Sequence, residues 1–308
     1  MPSVLRTRER SAIVLAGGEG TRLRALTRRI TGEEVPKQFC PLIGSKSLLE
    51  QTYERVSSLI PPDRTIIVVN RAHERFYQPI LGGVPRHLIV AQPTGRGTAP
   101  AILYALMRLA ERAPASVVTV FPCDHYVSDD SLFMRHVDRA ARAVDARPEL
   151  TVLLGIEPTH PEPSYGWIDP TEPLGIGEVP LSGLRRFVEK PDIATASRLM
   201  SNGALWNSFV MIARVSTMIG LFMIAAPGLY VAFNSVRAAF ETVFEIPAVE
   251  RLYDDLPEVN FSSEVLEKCP VNLALMPVRQ VRWSDLGDPD RVRDTWEHTG
   301  FNPEWAGA

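Results

Sequence analysis

Residues 12–42 read AIVLAGGEGTRLRALTRRITGEEVPKQFCPL and hold the densest chemistry of the 308-residue chain. A short apolar run, Ile13–Leu15, leads into Gly17, Gly18 and Gly20; Thr21 and Arg22 follow at once, and Pro36-Lys37 comes a little later. Glycines without Cβ atoms let backbone N–H groups approach a phosphate closely. Arg22 and Lys37 add fixed positive charge suited to a polyphosphate. A tight strand-to-helix turn would explain the glycines, but it has no need of those two cations. Two familiar glycine loops are excluded. A G-x-G-x-x-G fingerprint started at Gly18 meets Leu23 instead of its third glycine, and no Gly-Lys pair exists to make a P-loop.

Four later stretches carry further polar candidates. QPTGRGTAPAI (Gln92–Ile102) closes a strand and opens a helix, so its glycines and helix N-terminus offer a platform for a base or a phosphate, or simply a capped turn. FPCDHYV puts Asp124 just past an apolar strand, where a carboxylate suits a hard cation or a helix cap. Cys123 and His125 flank it, but no second ligand cluster supports zinc. In RRFVEKPD, Glu189 can accept sugar hydroxyls and Lys190 can meet a phosphate. Adjacent strand residues face opposite ways, so that pair must sit at a strand end or bulge to act together, and a solvated ion pair is the plain alternative. In ALWNSFVMIA, Asn207 offers both a donor and an acceptor.

The elements that must position these residues alternate. Strands are expected at Ala12–Ala16, Thr65–Asn70, His87–Gln92, Val117–Phe121 and Thr151–Ile156, with helices at Ser47–Ile60, Ala99–Ala113 and Ser131–Arg147. Thr98 stands where it could cap the second helix, with Pro100 tolerated in the first turn. Such alternation predicts an α/β fold: a Rossmann-like, mostly parallel sheet with helices on both faces. Ligands in such sheets bind beyond the carboxyl ends of the strands, where the glycine loop, Gln92–Thr98 and Pro122–His125 all fall. Past Gly155 a series of prolines (Pro158, Pro161, Pro163, Pro170, Pro173) breaks the regularity and suggests a lid or substrate subdomain inserted into the sheet.

Composition narrows the class. The net charge of -3 gives no basic surplus for nucleic acid. Cys40, Cys123 and Cys269 form no C-x-x-C pair, which argues for reduced thiols and a cytoplasmic location. The first ten residues, MPSVLRTRER, lack the apolar stretch of a signal peptide. Val215–Ala226 is apolar but only twelve residues long, against the about 20 needed to span a bilayer, so a buried helix is expected and no membrane partner. Only four lysines occur, Lys37, Lys46, Lys190 and Lys268, and elsewhere arginine fills the basic positions. A retained lysine then points to a site that wants a compact ammonium.

GGEGTRLRALT followed by VPKQFCPL resembles the opening motif of the sugar-1-phosphate nucleotidyltransferases, and its PKQF form resembles mannose-1-phosphate guanylyltransferases in particular. QPTGRGTAP, FPCD, PSYGWI, EKP, LWNS and WSDLG are similar to later motifs of that family, in the family's order. The resemblance implies a single nucleotidyltransferase domain over residues 1–308, with 1–154 serving mainly the nucleotide and 155–308 mainly the sugar phosphate and a second metal ligand. It also implies an inserted sugar-binding subdomain, and Mg2+ on Asp124 and Asp285. The nucleotide would meet Leu15, Gly17, Gly18, Gly20, Thr21, Arg22, Gln92, Gly95 and Thr98, while Gly166, Glu189, Lys190 and Asn207 would meet the sugar phosphate. Arg22, Lys37, Asp124, Lys190 and Asp285 would carry catalysis. Only 23 residues follow Asp285, so the extra C-terminal β domain of longer members is not expected.

The reaction so implied joins a nucleoside triphosphate, GTP by the motif, to a sugar 1-phosphate, mannose 1-phosphate by the motif, and releases pyrophosphate. An ionised phosphate is already nucleophilic, so positioning and charge neutralisation suffice and no general base is required. The chain departs from the pattern at Ala25, where proline is usual, at Gly97 for asparagine, Gln92 for glutamate, Arg282 for glycine and Phe209 for glycine. Two alternatives therefore stay open: the same transfer with another substrate pair, and a catalytically silent regulator that binds sugar nucleotides.

Overall fold

The computed structural model describes residues 9–175 and 179–303. The reading of the N-terminal segment falls on residues 1–8, outside the described ones. The described residues form eleven strands: β1 (Arg10–Ala16), β2 (Thr65–Asn70), β3 (Ile89–Gln92), β4 (Val117–Pro122), β5 (Tyr126–Val127), β6 (Thr151–Ile156), β7 (Gly166–Pro173), β8 (Ser182–Glu189), β9 (Leu205–Arg214), β10 (Leu273–Val278) and β11 (Trp283–Ser284). Ten α-helices are interleaved with them: α1 (Arg24–Thr31), α2 (Leu48–Ser57), α3 (Glu74–Leu81), α4 (Thr98–Arg112), α5 (Asp130–Ala146), α6 (Ile193–Ser201), α7 (Val215–Ala225), α8 (Pro227–Val236), α9 (Glu245–Asp255) and α10 (Pro289–Thr299).

Nine strands form one sheet in the order β3-β2-β1-β4-β9-β6-β10-β8-β7, and β5 pairs with β11 separately. All nine run one way except β8 and β9. The α/β architecture read from the sequence is present. The expected strands appear within a residue or two of their predicted ends, save that Arg86–Leu88 forms a tight turn after Pro85 and delays β3 to Ile89. β7 also pairs with the start of β9, Trp167 opposite Trp206, so β9, β6, β10, β8 and β7 close into a ring. The prolines of this region are absorbed at its margin: Pro170 and Pro173 lie where the β7–β8 register shifts, positions that need not donate to a ladder.

Side chains of β1 alternate between two cores. Ala12 and Val14 pack with α2 and α5 residues such as Leu49 and Val137, while Ile13 packs with α4 and α7 residues such as Ile102 and Phe222. The start of α2 is fixed by a capping box, in which Ser47 N–H donates to Glu50 Oε2 at 2.8 Å and Glu50 N–H returns to Ser47 Oγ at 3.2 Å. α4 runs under the sheet with Ala99–Leu109 buried throughout. α7 is the apolar helix expected from Val215, and it is buried on one side only, through Val215, Met218, Leu221 and Phe222, with Met223 and Ile224 exposed. Among the described residues no helix is long and apolar enough to cross a membrane.

Candidate active site

The glycine loop leaves β1 at Ala16 and turns at Gly20, whose φ of 59° is left-handed. A Cβ on Gly20 would sit 3.0 Å from the Lys37 backbone nitrogen, and one on Gly17 would sit 2.8 Å from Gln92 Nε2. Gly20 is thus required by its left-handed backbone and by the backbone beside it, whereas a side chain at Gly17 would have to displace the Gln92 amide. The loop is also held from beneath. Buried Gln38 donates through Nε2 to the Ala16 carbonyl at 3.0 Å and the Gly18 carbonyl at 2.7 Å. Gln38 thereby ties the loop to the segment that carries Lys37. Arg22 is exposed just beyond, with no ion-pair partner among the described residues. Leu15 pairs with Val68 and Pro122, and its carbonyl accepts from Cys123 N–H at 3.1 Å, tying the loop's root to the strand end that carries Asp124.

Three distant segments meet at Lys37. Its ammonium lies 3.0 Å from Asp124 Oδ2 and donates to the backbone carbonyls of Asp285 at 2.7 Å and Leu286 at 3.3 Å. The β5–β11 ladder makes this meeting possible, because it sets Trp283 opposite Val127 and Ser284 opposite Tyr126. Burial alone would raise the Asp124 carboxyl, but the Lys37 ammonium and then His125 outweigh it and hold the group below its ordinary value. Burial pushes the His125 imidazole down, against Asp124, and its ring stands edge-on to Trp283 at 5.0 Å. Asp285 Oδ1 accepts from Tyr165 OH at 3.1 Å, Gly287 N–H at 2.9 Å and Arg291 at 2.8 Å.

Among the described residues no three His, Cys, Asp or Glu side chains gather into a metal-binding group. Asp124 and Asp285 could still hold a hard cation, since such an ion keeps one or two carboxylates and draws its other ligands from substrate phosphates and water. The Cys123 thiol is buried and pushed well up by that burial, so it is a poor ligand.

The loop after β3 is differently built from its reading as a capped platform. Gly97, not Thr98, occupies the cap of α4, with φ 82° and ψ -177°, and no side chain caps the helix. The Thr98 hydroxyl instead accepts from Phe261 N–H at 2.8 Å, and the Ala99 N–H is taken by the Val259 carbonyl at 3.0 Å. A Cβ at Gly97 would lie 2.4 Å from that carbonyl. The missing asparagine is therefore a steric requirement of this chain's own 257–261 segment. Buried Gln92 accepts from Tyr253 OH at 3.2 Å, and Gly95 faces Asn70 and Glu19.

On the other side of Asp124 lie the sugar candidates. Gly166 and Glu189 are directly opposed on β7 and β8, and a Cβ on Gly166 would come within 2.9 Å of Glu189 Oε2. Burial raises the Glu189 carboxyl despite Lys190, whose ammonium is 3.6 Å away. Glu189 ends β8 and Lys190 follows with φ 48°, so the pair sits at the strand end that joint action demands. Asn207 is buried, and its Oδ1 accepts from Phe209 N–H at 3.0 Å. Phe209 keeps a left-handed φ of 61°, a conformation natural to the glycine it replaces, and its ring packs on Phe261. Arg282 causes no disturbance: its guanidinium turns outward to Asp294 and His298. Ala25 lies in the first turn of α1, where alanine and proline are both accepted.

Sequence reasoning left out Gln38, Tyr165, Glu162 and Arg291. Gln38 and Tyr165 lie within the quoted motifs VPKQFCPL and PSYGWI but carry no local signal of role. Only the Asp288-Pro289 helix start hints that Arg291 turns back toward Asp285.

At the edge of an α/β sheet, buried Lys37 thus joins the strand end that carries Asp124 to the turn that carries Asp285, close to the glycine loop. The chain belongs to the nucleotidyl transferase family, whose profile matches residues 11–299. It is 32% identical over 292 residues to the xanthan biosynthesis protein XanB of Xanthomonas campestris, covering 94% of this chain and 60% of that protein. It is 31% identical over 286 residues to a mannose-1-phosphate guanylyltransferase of Escherichia coli, covering 89% of this chain and 59% of the relative. The chain thus spans about three fifths of the length of these relatives. A solved structure described as a mannose-1-phosphate geranyltransferase from Thermus thermophilus superposes with a TM-score of 0.77 at 33% identity, over 91% of this chain and 76% of that one.

Proposed function

We propose that this chain transfers a nucleoside monophosphate from GTP to mannose 1-phosphate, releasing pyrophosphate, in the cytoplasm. The observation that carries the reading is the Lys37 ammonium held between the Asp124 carboxylate and the Asp285 and Leu286 carbonyls. It supports a site for charge neutralisation at a polyphosphate. In this reading residues 1–154 serve mainly the nucleotide. Backbone N–H groups of Gly17–Gly20 and the free Arg22 guanidinium grip the triphosphate and then the leaving pyrophosphate. Residues 155–308 serve mainly the sugar phosphate: Lys190 guides it, while Glu189, in the space left by Gly166, and Asn207 select its hydroxyls. Asp124 and Asp285 would hold Mg2+, which supplies charge neutralisation at the α-phosphate when bound. The attacking phosphate oxygen needs no base and no covalent enzyme intermediate forms. The relatives' names support GTP and mannose 1-phosphate as the first pair to try.

A second reading keeps the reaction and changes the pair. It is favoured by the Val259 carbonyl on the start of α4 and by the Phe209 ring, both where the family pattern has smaller or different groups. Pyrophosphate release from a matrix of triphosphates against sugar 1-phosphates tests both. GTP with mannose 1-phosphate should turn over fastest, and Asp124→Ala should abolish the signal. A different fastest pair would move the assignment, and ligand binding without release from any pair would leave a regulator.

A further inference from the structure

Arg291 is more fully engaged than any other side chain near the site. It lies in the first turn of α10 with its side chain 16% exposed. One terminal nitrogen donates to Asp285 Oδ1 at 2.8 Å. The other meets Glu162 Oε2 at 2.9 Å and the Ser164 hydroxyl. Nε faces Asp288 Oδ2 at 3.2 Å, and the guanidinium lies 4.4 Å over the Tyr165 ring. Asp288 in turn accepts the Asp290 and Arg291 N–H groups, which fixes the helix turn that presents the arginine. Glu162 is itself anchored: burial would raise its carboxyl, but Ser164 and then Arg291 bring it down to about 2.

We propose that Arg291 is a positioning residue for Asp285. Together with Tyr165 and the Gly287 N–H it saturates Oδ1, and among the described residues Oδ2 receives no hydrogen bond, so one defined oxygen is left for a cation. Its second hand holds the Glu162–Tyr165 turn that leads into β7 and Gly166. The cation-side carboxylate and the sugar-side turn are thereby one rigid unit. A planar fork can satisfy three carboxylates and an aromatic face at once, which a lysine cannot. The inference rests on the proposed nucleotidyl transfer.

The test uses the whole protein and Mn2+–GTP as probe, followed by water proton relaxation enhancement, with pyrophosphate release measured alongside. Arg291→Lys should weaken ternary binding about tenfold, in line with loss of a group that orients a metal-bound carboxylate. Its turnover should recover at high Mg2+, and its KM for the sugar 1-phosphate should rise. Glu162→Gln, which removes the charge that faces Arg291 at the far contact and weakens the bonds from Ser164 and His160, should show the same pattern in milder form, and it decides the matter if Arg291→Lys does not fold. Wild-type Mn2+ affinity in the folded variant, even with a lowered Tm, would overturn the role of Arg291. Absence of enhancement and of pyrophosphate release in the wild type would instead overturn the reading of the site on which it rests.

Discussion

The Lys37 ammonium lies 3.0 Å from the Asp124 carboxylate while donating to two carbonyls of the Asp285–Leu286 turn. One charge thus joins three segments of the chain and sets the protonation of its partner.

Lys37→Met should lower turnover about 10²–10³-fold, the usual cost of losing one group that stabilises developing charge. Stability should respond to pH with a change of sign. In the wild type the depressed Asp124 carboxyl contributes stability that is present above its unfolded value and is lost only as pH falls through the lower folded one. Without the ammonium, burial prevails and lifts the folded value, so the variant loses stability as pH rises from about 4, the unfolded value, through the raised folded one. Thermal melts between about pH 4 and 8 should show the gap between the two proteins widening with pH. A constant gap would refute the coupling.

Gln38→Leu should loosen the glycine loop without touching substrate. The Ala16 and Gly18 carbonyls both lose their donor; the buried Ala16 carbonyl is left unpaired at a cost of about 1–3 kcal/mol, while water can replace the donor at exposed Gly18. KM for the triphosphate should rise more than KM for the sugar 1-phosphate. Equal change in both would argue against a local effect.

Gly166→Ala should act on the other substrate. The new methyl meets Glu189 Oε2 at 2.9 Å and Phe187 Cζ at 2.8 Å, so the carboxylate must move. Overpacking of this kind costs about 1–3 kcal/mol. The KM for the sugar 1-phosphate should climb while that for the triphosphate stays put; the reverse order would remove Glu189 from the sugar side.

Phe209→Gly sets backbone strain against packing. Relief of the left-handed conformation returns about 1–2 kcal/mol. The ring's burial and its edge contact with Phe261 are together worth about 2–4 kcal/mol, and glycine adds about 1 kcal/mol of lost chain entropy. The variant should be less stable by about 1–4 kcal/mol in denaturant melts. A stabilised protein would mean that strain outweighs packing here.

The first half of the fold was legible because its signals are local. Glycine identity marks the turn after β1, and apolar runs bounded by helices mark β2, β4 and β6. β9 was not legible as a strand that runs against its neighbours, because direction is decided by which elements it lies between and leaves no mark on residue type. The left-handed Phe209 runs against the preference of its side chain and could not be inferred from it. Thr98 reads as a cap in the sequence because the carbonyl that displaces that role, Val259, is far along the chain. The convergence of Asp124 with Asp285 was reachable only through motif resemblance. Arg291 was invisible because its partners at 162, 164 and 165 come from an unrelated stretch.

β9 serves two neighbourhoods at once. Its later residues bond to β4, the strand that delivers Asp124, while Trp206 and Leu205 bond to β7, which starts at Gly166. A hinge that opened the nucleotide side from the sugar side would have to cleave main-chain ladders along this shared strand. On the proposed reading, substrates would therefore enter and products leave past loops at the sheet's rim, such as Gly17–Arg22, rather than through the swing of two halves.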